Sequence, residues 1–426
     1  MSAPGVESTD GLTQAARGTH VIVLPSWVGD AVMATPALAM LRERIGVARP
    51  GERVVLAGRG GMDDLLAGVE VEGRAIADVC VKYAAGGMLA PLVNSRAIRE
   101  AGAMSCLLLP GSFSGALAAR MSGAAVRVGY ASDSRASLLT HAVPVPREPV
   151  GGTVKKKWLG GAPIGACDWY WNLVMCYLRA LGINFDGASS RGEQDFARMP
   201  ADVRLRLAVT PVQQQAADEM LAGAGVRSDE AYMLIVPGAN RADKRWPTGR
   251  FAFVAKEVHR RFGLRSVVSG SPAERDVCDE LCKLAGRSAL PLTRAGGGST
   301  GIGGAASAPA HEPSTSCGPM GRLKGVVARS RLMLVGDTGP RHIAAALNVP
   351  IVALFGPTDP RWTPIPAPAG EARVLSADEV GAGGTTTGVG GGLPSGGVTD
   401  DHPARYRIDL IQAGRVVAAV ERMLAD

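Results

Sequence analysis

The sequence predicts an α/β protein made of two parallel-sheet halves, and three observations predict it. Short apolar runs of strand length alternate with helix-length stretches in two separate series. The chain has 426 residues, too many for one ordinary core and suited to two domains of similar size. It is 46% hydrophobic but only 4% aromatic, with 56 glycines, a composition that fits close-packed helix-on-sheet layers better than a β-sandwich.

The first series opens with a strand at 20–24, a turn at 25–29 and a helix reaching about Ile45. Strands follow at 53–57, 107–109 and 126–130, with a helix at 116–121 between the last two. Residues 151–166 are rich in glycine and include Lys155, Lys156 and Lys157, which reads as a loop carrying a solvated basic run. A helix follows at 168–181, and the chain then turns polar. The second series has strands at 233–236, 266–268, 332–335 and 351–355, helices at 250–262 and 273–284, and a final amphipathic helix at about 411–424. Short strands alternating with helices mean βαβ units and parallel sheets. The domain reading is therefore a disordered leader at 1–18, an N-terminal Rossmann-like domain at 19–185 and a linker at 186–202. A C-terminal Rossmann-like domain at 203–407 and a C-terminal helix at 408–426 complete it. Residues 295–319 and 381–397 are Gly/Ser-rich and read as surface insertions in the second domain, too poor in apolar surface to order themselves.

Composition also excludes function classes. A net charge of +7 favours an anionic ligand or surface, but no basic-aromatic interleaving argues for nucleic acid. The seven cysteines are odd in number and irregularly spaced. They read as reduced thiols of a cytoplasmic protein and supply no metal site. No apolar run approaches the ~20 residues of a membrane span.

The sharpest local signal is Gly336-Asp337-Thr338-Gly339 between an apolar strand and a helix, with Pro340 at the helix's first position. A helix N-terminus offers free N–H groups and the positive end of a dipole, at the strand end where ligands of open α/β sheets bind. Gly339 permits close approach to the backbone, the Thr338 hydroxyl is a further donor, and His342 lies three residues into the helix. Taken alone, the turn reads equally well as a helix capped by Asp337 or Thr338. Pro237-Gly238-Ala239 follows another strand, and Lys244 a few residues on can reach a diphosphate and neutralise the charge of a leaving nucleoside diphosphate. Arg245 and Trp246 read as a basic turn and a packing residue. Glu274 follows the next strand, where ribose contact and helix capping stand level. The turn at 355–360 belongs to the same rim. In the first half, Pro25-Ser26-Trp27-Val28-Gly29-Asp30 places a carboxylate near a helix N-terminus. From there it can act as a base or simply cap the helix.

These segments occur in order, and together with Leu354-Phe355-Gly356-Pro357-Thr358 they resemble the ADP-heptose:lipopolysaccharide heptosyltransferases. Ser26-Trp27-Val28-Gly29-Asp30 and Trp362-Thr363-Pro364 are most similar to the heptosyltransferase II type. The resemblance covers roughly residues 20–375 and the terminal helix. It implies a glycosyltransferase B-type fold, two Rossmann-like domains facing across a cleft. It also implies ADP-L-glycero-D-manno-heptose as donor, the lipid A-core as acceptor, and inverting transfer with no cofactor and no obligatory metal. By motif, Asp30 is the implied base, and Lys244, Asp337, Thr338, Gly339 and His342 are donor-site residues, with Glu274 a nucleotide contact. Peripheral contact with the inner membrane is a further expectation. Two residues depart from the family pattern: Val236 stands where histidine or cysteine is usual, and Arg341 where methionine, serine or leucine is. A different nucleotide-sugar transferase or epimerase of the same fold, and a non-catalytic nucleotide-binding protein, are the competing readings.

Overall fold

A computed structural model describes residues 18–84, 86–150, 153–156, 158–159, 162–183, 196–292, 317–358, 360–375 and 407–425. Most of the leader, part of the linker at 186–202, Lys157, and nearly all of the insertions at 295–319 and 381–397 lie outside the described residues.

The strands of the first half are β1 (Thr19–Val23), β2 (Arg53–Gly58), a small hairpin β3 (Glu70–Val71) and β4 (Arg74–Ala75), β5 (Val79–Lys82), β6 (Ala103–Leu108), β7 (Val126–Tyr130) and β8 (His141–Val143). Four short strands follow: β9 (Arg147–Val150), β10 (Thr153–Lys156), β11 (Trp158–Leu159) and β12 (Ala162–Pro163). The second half contributes β13 (Tyr232–Val236), β14 (Arg265–Val268), β15 (Ala289–Pro291), β16 (Leu332–Gly336), β17 (Ile351–Phe355) and β18 (Glu371–Leu375). Its helices and those of the first half are α1 (Val28–Ala48), α2 (Met62–Leu66), α3 (Ala90–Glu100), α4 (Phe113–Ser122), α5 (Ala166–Ala180), α6 (Pro211–Gly223), α7 (Thr248–Phe262), α8 (Arg275–Ala285), α9 (Pro319–Arg329), α10 (Gly339–Ala346) and α11 (Ala413–Ala425).

Each half is one six-stranded sheet. Their orders, β5-β2-β1-β6-β7-β8 and β15-β14-β13-β16-β17-β18, are the same pattern repeated, and neighbouring strands run parallel throughout. In both sheets the order reverses beside the first strand, which is the topological switch point where a crevice opens at the carboxyl ends of the strands. The central strands β1, β13, β16 and β17 are buried at every residue, as a parallel sheet covered on both faces requires. The α/β fold with two facing Rossmann-like halves is thus the observed architecture.

One correction concerns 151–166. The reading as a plain loop is wrong, because β10 pairs antiparallel with β9 and β11 with β12. Lysines and glycines mask strand character there, since pairing is made by the backbone. The strands β5, β8, β15 and β18, and the helices α3, α6 and α9, were also absent from the sequence reading.

A continuous core joins the two sheets through α1, α5, α6, α9 and α10: it includes Ile22, Val32 and Leu173 from the first half and Val335, Ile343 and Val327 from the second. The helix α11 returns to the second sheet, where Val416, Val417 and Val420 pack with Phe251 and Val374. Polar clasps close the seam between halves. Lys324 in α9 is fully buried and donates to the carbonyls of Ala67 (3.0 Å) and Ala208 (2.7 Å). The backbone N–H of Gly321 donates to Asp64 Oδ2 at 2.6 Å. These contacts tie α9 to the first half.

Candidate active site

The two sheets bring the N-termini of α1 and α10 together. Both helices begin at the carboxyl end of a central strand, α1 after β1 and α10 after β16. Gly29 and Gly339 make the approach possible. A Cβ on Gly29 would lie 2.7 Å from Cδ2 of His342, and one on Gly339 would lie 3.4 Å from Cβ of Val28. The backbone that Gly339 admits is therefore that of α1. Two helix N-termini each carry about half a positive charge, so their meeting is unfavourable unless negative charge lies between or beside them.

The capping readings can now be decided. Neither Asp30 nor Thr338 caps its helix through the side chain: the N-cap of α1 is Trp27, and Thr338 is the N-cap of α10 without a side-chain hydrogen bond. Asp30 is half-buried in the first turn of α1 and accepts a hydrogen bond from Tyr170 Oη of α5 at 3.2 Å. Burial, and then the negative charge of Asp30, push the Tyr170 hydroxyl well above its usual value, so it stays neutral and donates. That bond and the helix dipole both favour ionised Asp30.

Asp337 is the hub of the second-half rim. Its Oδ2 accepts from Thr358 Oγ1 at 2.8 Å and pairs with Lys244 Nζ at 3.3 Å. Its Oδ1 faces Arg341 Nη1 and Thr363 Oγ1, both at 3.4 Å. Burial works against ionisation of this carboxyl, but Arg341 and Lys244 outweigh it and hold Asp337 below the usual carboxylate range. Lys244 comes from a short 3-10 turn, Ala242–Lys244, after β13, so the Lys-bearing loop and the Asp-bearing turn meet.

Two polar atoms at the start of α10 are buried without a partner among the described residues: Oγ1 of Thr338 and Nδ1 of His342. Buried polar groups are normally satisfied, so orphans beside a helix N-terminus fit a ligand that supplies the missing acceptor or donor. Burial pushes the His342 imidazole down to about 3, with the Arg341 charge acting in the same direction, so it is neutral at physiological pH. Its folded value lies below the ordinary 6.5. The neutral ring therefore contributes stability that is present above pH 6.5 and lost as the pH falls toward 3. Between pH 7 and pH 5 the wild type should lose up to about 2 kcal/mol more than His342→Asn, measured by urea unfolding at both values. Equal losses would place His342 in contact with solvent.

Glu274 behaves as a cap. Its Oε2 accepts from the backbone N–H of Ser271 at 2.7 Å in a capping box. It also lies over Gly238, where a Cβ would come within 2.0 Å of its carboxylate carbon. It thus lines the rim between the β13 and β14 turns. Trp246 and Arg245 are structural: the Trp246 indole is buried and donates to Ile411 O at 3.1 Å, and Arg245 donates to Ala239 O at 2.9 Å. Three participants were missed: Tyr170, Thr363 and Arg341 as a buried residue. Arg341 is fully buried, pairs with Glu371 at 2.5 Å and lies 4.8 Å from the centre of the Phe355 ring. Among the described residues, no His/Cys/Asp/Glu group has the arrangement of a metal site, and no helix is long and apolar enough to cross a membrane.

Comparison with known proteins bears on the fold. The sequence model described as glycosyltransferase family 9 (heptosyltransferase) matches residues 194–288 and 315–382. Lipopolysaccharide heptosyltransferase 1 of Pseudomonas aeruginosa is 32% identical over 132 residues, covering 31% of this chain and 30% of that protein. The chain spans about a third of the length of the curated relatives it matches. Among solved structures, a family 9 glycosyl transferase from Veillonella parvula superposes with a TM-score of 0.66 at 18% identity, covering 96% of this chain and 97% of that one. The ADP-heptose lps heptosyltransferase II of E. coli gives 0.62 at 19%, covering 96% and 98%. The fold is theirs. Over residues 194–288 and 315–382, in its second half, the chain is similar to glycosyltransferase family 9, the heptosyltransferase family.

Proposed function

We propose that this protein is an inverting glycosyltransferase that moves heptose from ADP-L-glycero-D-manno-heptose to the lipopolysaccharide inner core. One observation carries the reading. Two helix N-termini meet at the strand ends, with a carboxylate (Asp30) on one, and a lysine (Lys244) and two orphaned polar atoms (Thr338, His342) at the other. The helix N-termini and Lys244 suit a diphosphate, and the carboxylate suits a base.

In the proposed reaction, the donor diphosphate lies at the N-terminus of α10 and draws Lys244 toward it. An acceptor hydroxyl attacks the anomeric carbon from the face opposite the leaving group. Its proton passes to Asp30 as the new C–O bond forms. The bond between the anomeric carbon and the β-phosphate oxygen breaks, and ADP leaves with the electron pair. Lys244 and the helix dipole stabilise the negative charge that develops on it. In this reading Glu274, which lies over Gly238 on the same rim, contacts the ribose hydroxyls in addition to capping its helix. We assign the domains as 19–185 for the acceptor and 203–407 for the donor, with 186–202 joining them and 408–426 closing the second. The acceptor is a lipid-borne sugar, so the proposed setting is the cytoplasmic face of the inner membrane.

The test is a screen of purified protein with ADP- and UDP-sugars against de-acylated core acceptors, read by mass. A heptose-sized gain from ADP-heptose supports the reading. Transfer only from a UDP-sugar would replace the donor, and no transfer to any core acceptor with ADP still bound would favour a nucleotide-binding protein.

A further inference from the structure

The structure makes Arg341 the most constrained cation at the site. It is fully buried. Its Nε donates to Glu371 Oε1 at 2.5 Å, and its Nη2 to the Thr363 carbonyl at 3.1 Å. Its Nη1 reaches Thr363 Oγ1 at 3.1 Å and Asp337 Oδ1 at 3.4 Å. The guanidinium is also stacked against Phe355. A fork tied at three nitrogens does not move. Lys244 is the opposite case: a flexible stem on a short turn, bound among the described residues to Asp337 Oδ2 at 3.3 Å.

The two oxygens of Asp337 therefore have separate partners. One faces Arg341 and Thr363, the other Lys244 and Thr358. If Lys244 leaves, Asp337 keeps a cation on one oxygen and a hydroxyl on the other. Glu371 does not compete away the whole of the Arg341 charge, because its other oxygen is paired with Arg373 at 2.6 Å. With an uncharged residue at 341, Lys244 would be the sole cation at Asp337. Each swing of Lys244 toward a ligand would then leave a buried carboxylate unpaired, which is costly.

We propose that Arg341 is a positioning residue that holds Asp337 fixed and ionised, so that Lys244 is free to leave it for the diphosphate of the donor. This rests on the reading of Lys244 as a diphosphate ligand. The predicted consequence is a gain in nucleotide affinity made by a residue that does not touch the nucleotide.

The test is calorimetric titration of ADP into the full chain. R341M is combined with E371Q, so that no buried carboxylate is orphaned at 371, and circular dichroism checks that each variant folds. R341M/E371Q should bind ADP about tenfold more weakly than wild type, the size of one partly buried charge coupling. Adding D337N removes the carboxylate that captures Lys244 and should bring ADP affinity back to within about twofold of D337N itself. R341K keeps a cation beside Asp337 and should stay within about threefold of wild type. Wild-type affinity in R341M/E371Q overturns the proposal. So does a loss that persists undiminished with D337N, or a loss in R341K as large as that of methionine, since either assigns the effect to shape alone. K244A separates the two levels. If it binds ADP as wild type does, the donor-site reading fails and takes the proposal with it. If K244A weakens binding but R341M/E371Q does not, the donor site stands and only the role of Arg341 falls.

Discussion

Asp30→Asn should slow sugar transfer by about two to four orders of magnitude, the usual contribution of a positioned general base. The amide keeps the shape of the carboxyl and can still accept the bond from Tyr170, so folding and ADP binding should stay near wild type. The loss should appear in kcat, with little change in the KM for the donor, because the base acts only as the acceptor proton moves. The Tyr170 hydroxyl donates to Asp30 and so fixes the direction of its carboxylate. The contribution of Asp30 therefore depends on geometry: a proton is taken only from a hydroxyl already aligned with the anomeric carbon. Single-turnover rates with saturating donor measure this. A rate within about threefold of wild type would remove Asp30 from the chemistry.

Gly29→Ala should be nearly as damaging by a different route. The added methyl would sit 2.7 Å from Cδ2 of His342, closer than real Cβ atoms approach, and a tight 3.2 Å from its Nε2. His342 is a rigid ring, only 4% exposed, and cannot swing aside. The N-terminus of α1 must move away from that of α10, carrying Asp30 with it. Overpacking of this kind costs about 1–3 kcal/mol. A shift of even part of an ångström between base and donor should lower kcat tenfold or more, since misplacement by about 1 Å can cost a hundredfold. Urea unfolding and kcat should both respond, and Gly29→Ala combined with His342→Ala should recover most of the stability. An unchanged unfolding midpoint in Gly29→Ala would mean that the helices do not meet as described.

Much of this was legible in the sequence because it is encoded locally. The apolar runs at 20–24, 233–236, 332–335 and 351–355 fall on β1, β13, β16 and β17, strands buried on both faces and therefore apolar throughout. The turns after them hold the proposed site residues because strand ends at the switch point are fixed by topology. Distant pairings were not legible. Nothing near Asp30 indicates Tyr170, 140 residues away, as its hydrogen-bond donor. Nothing near Arg341 in the sequence indicates Glu371, which β18 brings against it. Gly29 reads as part of a turn, although its role is to admit the ring of His342 from the other half. Short strands also escaped: β5, Val79–Lys82, is an edge strand with exposed and half-buried side chains, so it has no apolar run to announce it.

The reading turns on whether a nucleotide-sugar diphosphate occupies the space where the two helix N-termini meet. A structure of the protein with ADP-heptose, or with a non-transferable fluorinated analogue of it, tests this most directly. The account predicts the diphosphate at the N-terminus of α10, within hydrogen-bond reach of Lys244 and the Thr338 hydroxyl, with the anomeric carbon turned toward Asp30. A diphosphate bound elsewhere, with Lys244 still paired to Asp337, would contradict it.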